Sequence, residues 1–182
     1  LGKMCNIAKK SVGGGELPDS LCGHFIGHIL LVEAQGDTHQ ATQECKKAPL
    51  AVQNTCFAGV FMENILKENL SAHGLGSRLP INEETVSIYE KVCREQEGLI
   101  VQNCWLEMPH VYGDFADNNP EKVYELCERA PEEEAKIACY YHFLETLPPL
   151  AKRSNQLCNP FNSNQQRFNR CMDTIVSSLL SI

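Results

Sequence analysis

Hydrophobic and polar positions alternate with a helical period along the chain, and the segments come in pairs. A shorter, mixed segment that predicts an amphipathic helix is followed by a more apolar one with a wide hydrophobic face. The five apolar segments read CGHFIGHILLVEA, CFAGVFMENILKE, CWLEMPHVYGDF, CYYHFLETL and CMDTIVSSLLSI. This pattern predicts an all-α fold of helical hairpins, in which the apolar helix of each pair faces the core.

Helix start and stop signals fall at the boundaries between these helical segments. Asp37, Asn82 and Asn119 each precede a polar helical segment, and Asn119 is followed by Pro120 at the first helical position. Pro109 interrupts the third apolar segment, so we expect that helix to kink or end there. The signals therefore support separate helices joined by short connections.

Ten cysteines follow the spacing of the predicted hairpins. The end of the first helix of a hairpin lies beside the start of the second, where two cysteines reach the ~5.5 Å Cα separation of a disulfide. Spacing alone leaves connectivity open, and buried free thiols are the alternative. The chain has no CxxC motif, which disfavours zinc-ribbon and iron–sulfur sites. We pair the cysteines in sequence order: Cys5–Cys22, Cys45–Cys56, Cys93–Cys104, Cys127–Cys139 and Cys158–Cys171.

The second cysteines of these pairs recur with a period of about 34 residues once one insertion is allowed, the length of a helix–turn–helix repeat. We expect a single domain over residues 1–182, arranged as a short α/α solenoid. Its hairpins are predicted at about 1–36, 37–68, 82–116, 118–147 and 149–182, with an inserted loop over 69–81.

This pattern of paired helices with one disulfide each resembles the Sel1-like and tetratricopeptide-like repeat proteins. The resemblance covers the whole chain as an architecture. The chain departs from the Sel1 signature, which has a shorter interval between cysteines and regular Ala and Gly positions. The resemblance implies binding or scaffolding of a protein partner along a concave face, and it assigns no individual residues. CGHFIGH and CFAGVFMEN also look like strings in uncharacterised secreted proteins.

Composition narrows the classes of function. The 182 residues include 16 Lys and Arg against 23 Asp and Glu, for a net charge of −7, which disfavours nucleic acid as a partner. Apolar runs such as Ile29–Val32 are too short to span a membrane, although association with a membrane-bound complex is compatible with this. Disulfides predict an extracytoplasmic location: periplasmic, cell-surface or secreted. Because the chain begins at Leu1, we also expect a longer precursor.

Histidines at helical spacing suggest a metal site. His24 and His28 lie at i and i+4, so both imidazoles share one helix face. The sixth residue after each second cysteine would form a stripe if the apolar helices stack in register, with Glu63 and His73 beside it. Histidine with methionine suits copper, and histidine with glutamate suits zinc or iron. The stripe comprises His28, Met62, His110, Glu145 and Ser177.

A purely structural role is the alternative interpretation of the same residues. His24 and His28 would then be hydrogen-bonded histidines beside a close helix contact, which Gly23 and Gly27 would permit. Met62 would fill the core.

The sequence predicts two alternative functions of different classes. The first is an extracytoplasmic, non-catalytic interaction or scaffold module, or an accessory subunit, that binds a protein partner. The second is a copper, zinc or iron protein, in the role of a redox or oxygenase component. A metal-free enzyme is not predicted, because the chain has no nucleophile elbow, P-loop or dinucleotide motif. The predicted metal ligands are His24, His28, Met62, Glu63 and His110.

Overall fold

A computed structural model describes residues 19–147 and 155–180 of the chain. Within these ranges the regular secondary structure is entirely helical, which confirms the all-α prediction. A 3-10 helix spans Asn155–Phe161. The α-helices are α1 (Asp19–Glu33), α2 (Thr38–Cys45), α3 (Leu50–Leu66), α4 (Glu68–Ala72), α5 (Glu83–Arg94), α6 (Leu99–Glu107), α7 (Pro109–Phe115), α8 (Pro120–Cys127), α9 (Glu133–Thr146) and α10 (Gln165–Leu180).

The predicted helix starts are confirmed at three positions. The side chain of Asp37 accepts a hydrogen bond from the backbone N–H of Gln40, at 3.0 Å. Asn82 caps α5 in the same way, and Asn119 caps α8 ahead of Pro120. Each cap satisfies a backbone donor that the first helical turn leaves unpaired.

Disulfides join consecutive helices in four described pairs, as predicted. Their Cα atoms lie 5.3–5.8 Å apart, within the range that a disulfide requires. Cys22 is also disulfide-bonded, but its predicted partner, Cys5, lies outside the described residues. The observed pairs are Cys45–Cys56, Cys93–Cys104, Cys127–Cys139 and Cys158–Cys171.

Glycines bring α1 and α3 into backbone contact. A Cβ atom added to Gly27 would overlap the carbonyl oxygen of Cys56, and one added to Gly59 would overlap the carbonyl oxygen of His24. Gly23 meets Thr55 and the backbone of α3 in the same way. The close helix contact predicted at Gly23 and Gly27 is therefore confirmed, and it sets His24 directly against α3.

The third apolar segment is broken at Pro109, as predicted. Helix α6 ends at Glu107, and α7 begins at Pro109, whose missing N–H costs nothing in a first helical turn. Only Met108 separates the two helices. Glu107 and His110 are thus held on either side of the break, three residues apart.

The apolar helices pack in chain order. Helix α1 packs along α3, α3 packs on α6, α6 on α9, and α9 on α10. Residues 69–81, predicted as a loop, differ from that expectation at their start: Asn69 to Ala72 belong to α4, which is anchored in the core by Leu70. Across the described ranges, no helix combines the length and apolar character needed to cross a membrane.

Candidate metal centre

Three polar side chains from α6, α7 and α9 converge where these helices meet. Glu107 ends α6, His110 lies in the first turn of α7, and His142 lies on α9. The Nε2 atom of His110 lies 3.3 Å from Oε2 of Glu107, and Nε2 of His142 lies 3.9 Å from the same oxygen. One donor atom from each residue falls within 4.8 Å of the other two. We call these three residues the triad.

The converging atoms of the triad are buried and lack hydrogen bonds. Oε2 of Glu107, Nε2 of His110 and Nε2 of His142 each have no hydrogen-bond partner of acceptable geometry among the described residues. The Glu107 side chain is only 3% exposed. Buried polar atoms are almost always paired, since an unpaired one costs about 1–3 kcal/mol. Three such atoms facing one point are the arrangement expected of ligands to a metal ion.

Glu145 orients one of the imidazoles. Its Oε2 atom lies 3.4 Å from Nδ1 of His142, so Nδ1 can donate to this carboxylate while Nε2 turns towards Glu107. Burial alone would lower the pKa of His142, but the hydrogen bond to Glu145 and the charge of Glu107 raise it above its ordinary value. The surrounding carboxylates therefore favour a positive charge at this position, either a proton or a metal ion.

A second cluster of donor atoms lies on α1 and α3. Nε2 of His24 is 3.1 Å from Nε2 of His28 and 3.2 Å from the sulfur of Met62. The two imidazole rings meet edge to face, with centroids 4.8 Å apart. We call His24, His28 and Met62 the thioether cluster. It depends on the glycine contact between α1 and α3, because that contact brings Met62 to His24.

Glu63 fixes the orientation of His28. Its Oε2 atom lies 2.8 Å from Nδ1 of His28 and accepts a hydrogen bond from Asn69 at 2.7 Å. The other carboxylate oxygen accepts from the backbone N–H of Leu70 at 2.8 Å. The Glu63 side chain is fully buried. Burial raises its pKa, but the hydrogen bonds from His28, Leu70 and Asn69 outweigh this and hold the pKa below its ordinary value, so the carboxylate is ionised.

The two clusters belong to one polar region. Burial, followed by the charge of His28, lowers the pKa of His24 below its ordinary value. Glu107 acts in the opposite direction, and His142 and His110 add smaller lowering effects. All three members of the triad thus lie near enough to influence His24. The lowered pKa keeps His24 neutral, the state in which an imidazole binds metals.

The structure brings together most of the predicted ligands. His24, His28, Met62 and Glu63 form one contact group, and Glu63 acts on His28 rather than joining the donor atoms. His110 lies in the triad instead of against Met62. Glu145, from the predicted stripe, contacts His142, and His73 lines an open cleft beside His28. The side chain of Ser177, also in the stripe, lies outside the described part of the chain.

Sequence reasoning missed Glu107 and His142. Both are the third residue after a second cysteine, Cys104 and Cys139 respectively, so they share a register one turn before the predicted stripe. Glu107 also precedes His110 by three residues, which places both on one side of a helical segment. Reading two successive turns of each apolar helix, instead of one, would have found them.

Comparison with protein-family models, with curated proteins and with solved structures returns no match for this chain.

Proposed function

We propose that this protein binds a divalent transition-metal ion through Glu107, His110 and His142. The observation that carries the proposal is the convergence of one carboxylate oxygen and two imidazole nitrogens, all buried and none hydrogen-bonded within the part of the chain that the structure describes. A bound cation supplies the partner that each of these atoms lacks, and it offsets the cost of burying the Glu107 carboxylate.

The ligand set indicates the class of metal. Two histidines and one carboxylate suit zinc and iron(II), and they leave coordination positions open for water or substrate. Ligands about 2.0–2.1 Å from such an ion lie roughly 3.3 Å from one another in a tetrahedral site. The 3.3 Å separation of Glu107 and His110 matches this value, whereas His142 moves closer to complete the site. The Glu145 carboxylate supports it by orienting His142.

The test is binding of zinc(II) and cobalt(II) to chelator-treated protein with its disulfides intact. We expect one cobalt(II) ion per chain with visible absorption bands, displaced by zinc(II). Glu107→Gln and His142→Ala should each weaken zinc(II) affinity by more than the roughly 10–100-fold that loss of a residue orienting a ligand costs. His39→Ala is the matched control, because His39 is exposed on α2 and belongs to neither cluster.

Equal zinc(II) affinity of Glu107→Gln, His142→Ala and His39→Ala would contradict the proposal. Circular dichroism and a count of free thiols show whether each variant keeps its helices and disulfides, so that loss of metal is not mistaken for loss of fold.

The second candidate function is the interaction module, arranged as a short α/α solenoid of the Sel1-like and tetratricopeptide-like kind. The chain-order packing of the apolar helices supports this arrangement. Leu50 and Leu99, the first residues of α3 and α6, support a binding role, because they are 81% and 51% exposed. The four described disulfides are compatible with an oxidising compartment, and we propose an extracytoplasmic location. Replacing Leu50 and Leu99 with Lys would abolish co-purification of a protein partner from the native source if this role is correct.

A further inference from the structure

The thioether cluster has the dimensions of a metal site in its own right. Its three donor atoms are Nε2 of His24, Nε2 of His28 and the sulfur of Met62, with His24 in contact with the other two at 3.1 and 3.2 Å. Nitrogen ligands bound to one metal ion at about 2.0–2.1 Å lie roughly 3.3 Å apart. Two of the three donor-atom separations are therefore already near those that a single bound ion imposes.

We propose that the thioether cluster is a second metal site that binds copper(I). A thioether is a soft ligand and selects copper(I), and imidazole binds copper as well. Hard divalent ions prefer the carboxylate that the triad offers and the thioether cluster lacks. Its donor atoms come from α1 and α3 and not from the triad, so this site shares no ligand with the zinc or iron(II) site proposed above.

The hydrogen bonds of Glu63 prepare His28 for this role. Oε2 of Glu63 lies 2.8 Å from Nδ1 of His28, so that nitrogen carries the proton and donates a hydrogen bond to the carboxylate. The lone pair of His28 is then on Nε2, which faces His24. A carboxylate behind a metal-binding histidine fixes its tautomer and strengthens it as a ligand. Asn69 and the backbone of Leu70 hold Glu63 in place, so the orientation of His28 depends on hydrogen bonds from residues of α4.

Metal binding needs only a change of tautomer at His24. Without metal, the 3.1 Å contact is a hydrogen bond in which Nε2–H of His24 donates to Nε2 of His28. When copper(I) binds, the proton of His24 resides on Nδ1, and both Nε2 lone pairs and the sulfur face the ion. No electron is transferred, and the carboxylate of Glu63 lies directly behind His28.

The glycine contact positions the donor atoms of the cluster. Gly27 and Gly59 let the backbones of α1 and α3 touch, and a Cβ at either position would overlap the opposite backbone. This close contact places the three donor atoms together before any ion binds, which reduces the entropy lost on binding.

The test is anaerobic titration of the disulfide-intact protein with a copper(I)–acetonitrile complex, in competition with a coloured copper(I) chelator. X-ray absorption of the loaded protein reports whether sulfur is a ligand. We expect one tightly bound copper(I) with nitrogen and sulfur ligands. Met62→Leu should remove the sulfur signal and weaken copper(I) affinity at least about 10-fold, with the side-chain volume nearly kept. Glu107→Gln should weaken copper(I) affinity much less than Met62→Leu does, because it removes no donor atom of the thioether cluster.

Met172→Leu is the matched control, since Met172 is a half-buried methionine on α10. Absence of free thiols in every sample shows that the sulfur signal does not come from cysteine. The proposal is overturned if Met62→Leu binds copper(I) like Met172→Leu, or if the sulfur signal persists in Met62→Leu. It is also overturned if Glu107→Gln removes the copper(I), because the ion would then occupy the triad.

Discussion

Two buried glutamates, Glu90 and Glu107, differ in what surrounds them. The Glu90 side chain on α5 is 6% exposed and is fully paired: Tyr112 donates to one oxygen at 3.1 Å, and Arg94 donates to the other at 2.9 Å. Arg129 adds a further hydrogen bond at 3.1 Å. Glu107 is buried to the same degree, yet its Oε2 atom has no hydrogen-bond partner in the part of the chain that the structure describes.

The difference separates a structural carboxylate from a candidate ligand. Glu90 ties α5 to α7 and to Arg129 beyond α8, and every partner is supplied by the protein. Glu107 instead faces two imidazole nitrogens that also make no hydrogen bond. Burying a charge in this way destabilises a fold unless something else compensates for it. A buried polar group with no protein partner is therefore the more informative sign of function.

The largest effect on stability is expected from Glu90→Ala. It removes the acceptor of three donors and leaves the buried hydroxyl of Tyr112 unpaired, so the free energy of unfolding should fall by about 3 kcal/mol. Urea denaturation measures it. Glu83→Ala is the control, because Glu83 also contacts Arg129 but is 68% exposed, and it should cost less than about 0.5 kcal/mol. Equal falls in the free energy of unfolding for the two variants would show that the hydrogen bonds of Glu90 add no more stability than an exposed ion pair.

A smaller effect is expected from Tyr112→Phe. Burial, together with the charge of Glu90, raises the pKa of the Tyr112 hydroxyl, so it stays protonated and acts as a donor. Its removal leaves both arginines on Glu90, and we expect a loss of about 1–2 kcal/mol in the free energy of unfolding. In the Glu90→Ala background the same change should cost less, because its acceptor is already gone. Strict additivity of the two changes would contradict this account of the network.

The smallest effect on metal-free stability is expected from Glu107→Leu. An apolar side chain of similar size removes a buried carboxylate whose Oε2 accepts no hydrogen bond, so the free energy of unfolding should change by less than about 1 kcal/mol. Stabilisation by zinc(II), in contrast, should depend strongly on Glu107. At 100 times its dissociation constant, zinc(II) should stabilise the unaltered chain by about 2.7 kcal/mol and leave Glu107→Leu unchanged. A loss of about 3 kcal/mol in metal-free Glu107→Leu would make Glu107 a structural residue like Glu90.

Much of the fold could be predicted because it depends on local signals. The caps at Asp37 and Asn82, the break at Pro109 and the helix contact at Gly27 each follow from the chemistry of one residue and its near neighbours. The four described disulfides follow from the geometry of a hairpin. The short helix α4 was missed because Leu70, its buried anchor, is held by tertiary contacts that no local pattern reveals.

The candidate site was predictable only in part, for a physical reason. His24 and His28 share one helix, so their proximity follows from helical periodicity. The triad joins residues of α6, α7 and α9, and its geometry depends on how α6 packs against α9. The sequence does not indicate that Oε2 of Glu107 lacks a hydrogen bond, because hydrogen bonding of a buried atom depends on how the interior packs.

The most direct test of the metal centre is anomalous diffraction from a crystal of the disulfide-intact protein soaked in zinc(II), recorded on both sides of the zinc absorption edge. If the triad binds zinc(II), we expect an anomalous peak about 2.0–2.2 Å from Oε2 of Glu107 and from Nε2 of His110 and His142. A map with no peak among these three atoms, and zinc only at exposed histidines such as His39, would contradict zinc(II) binding by the triad.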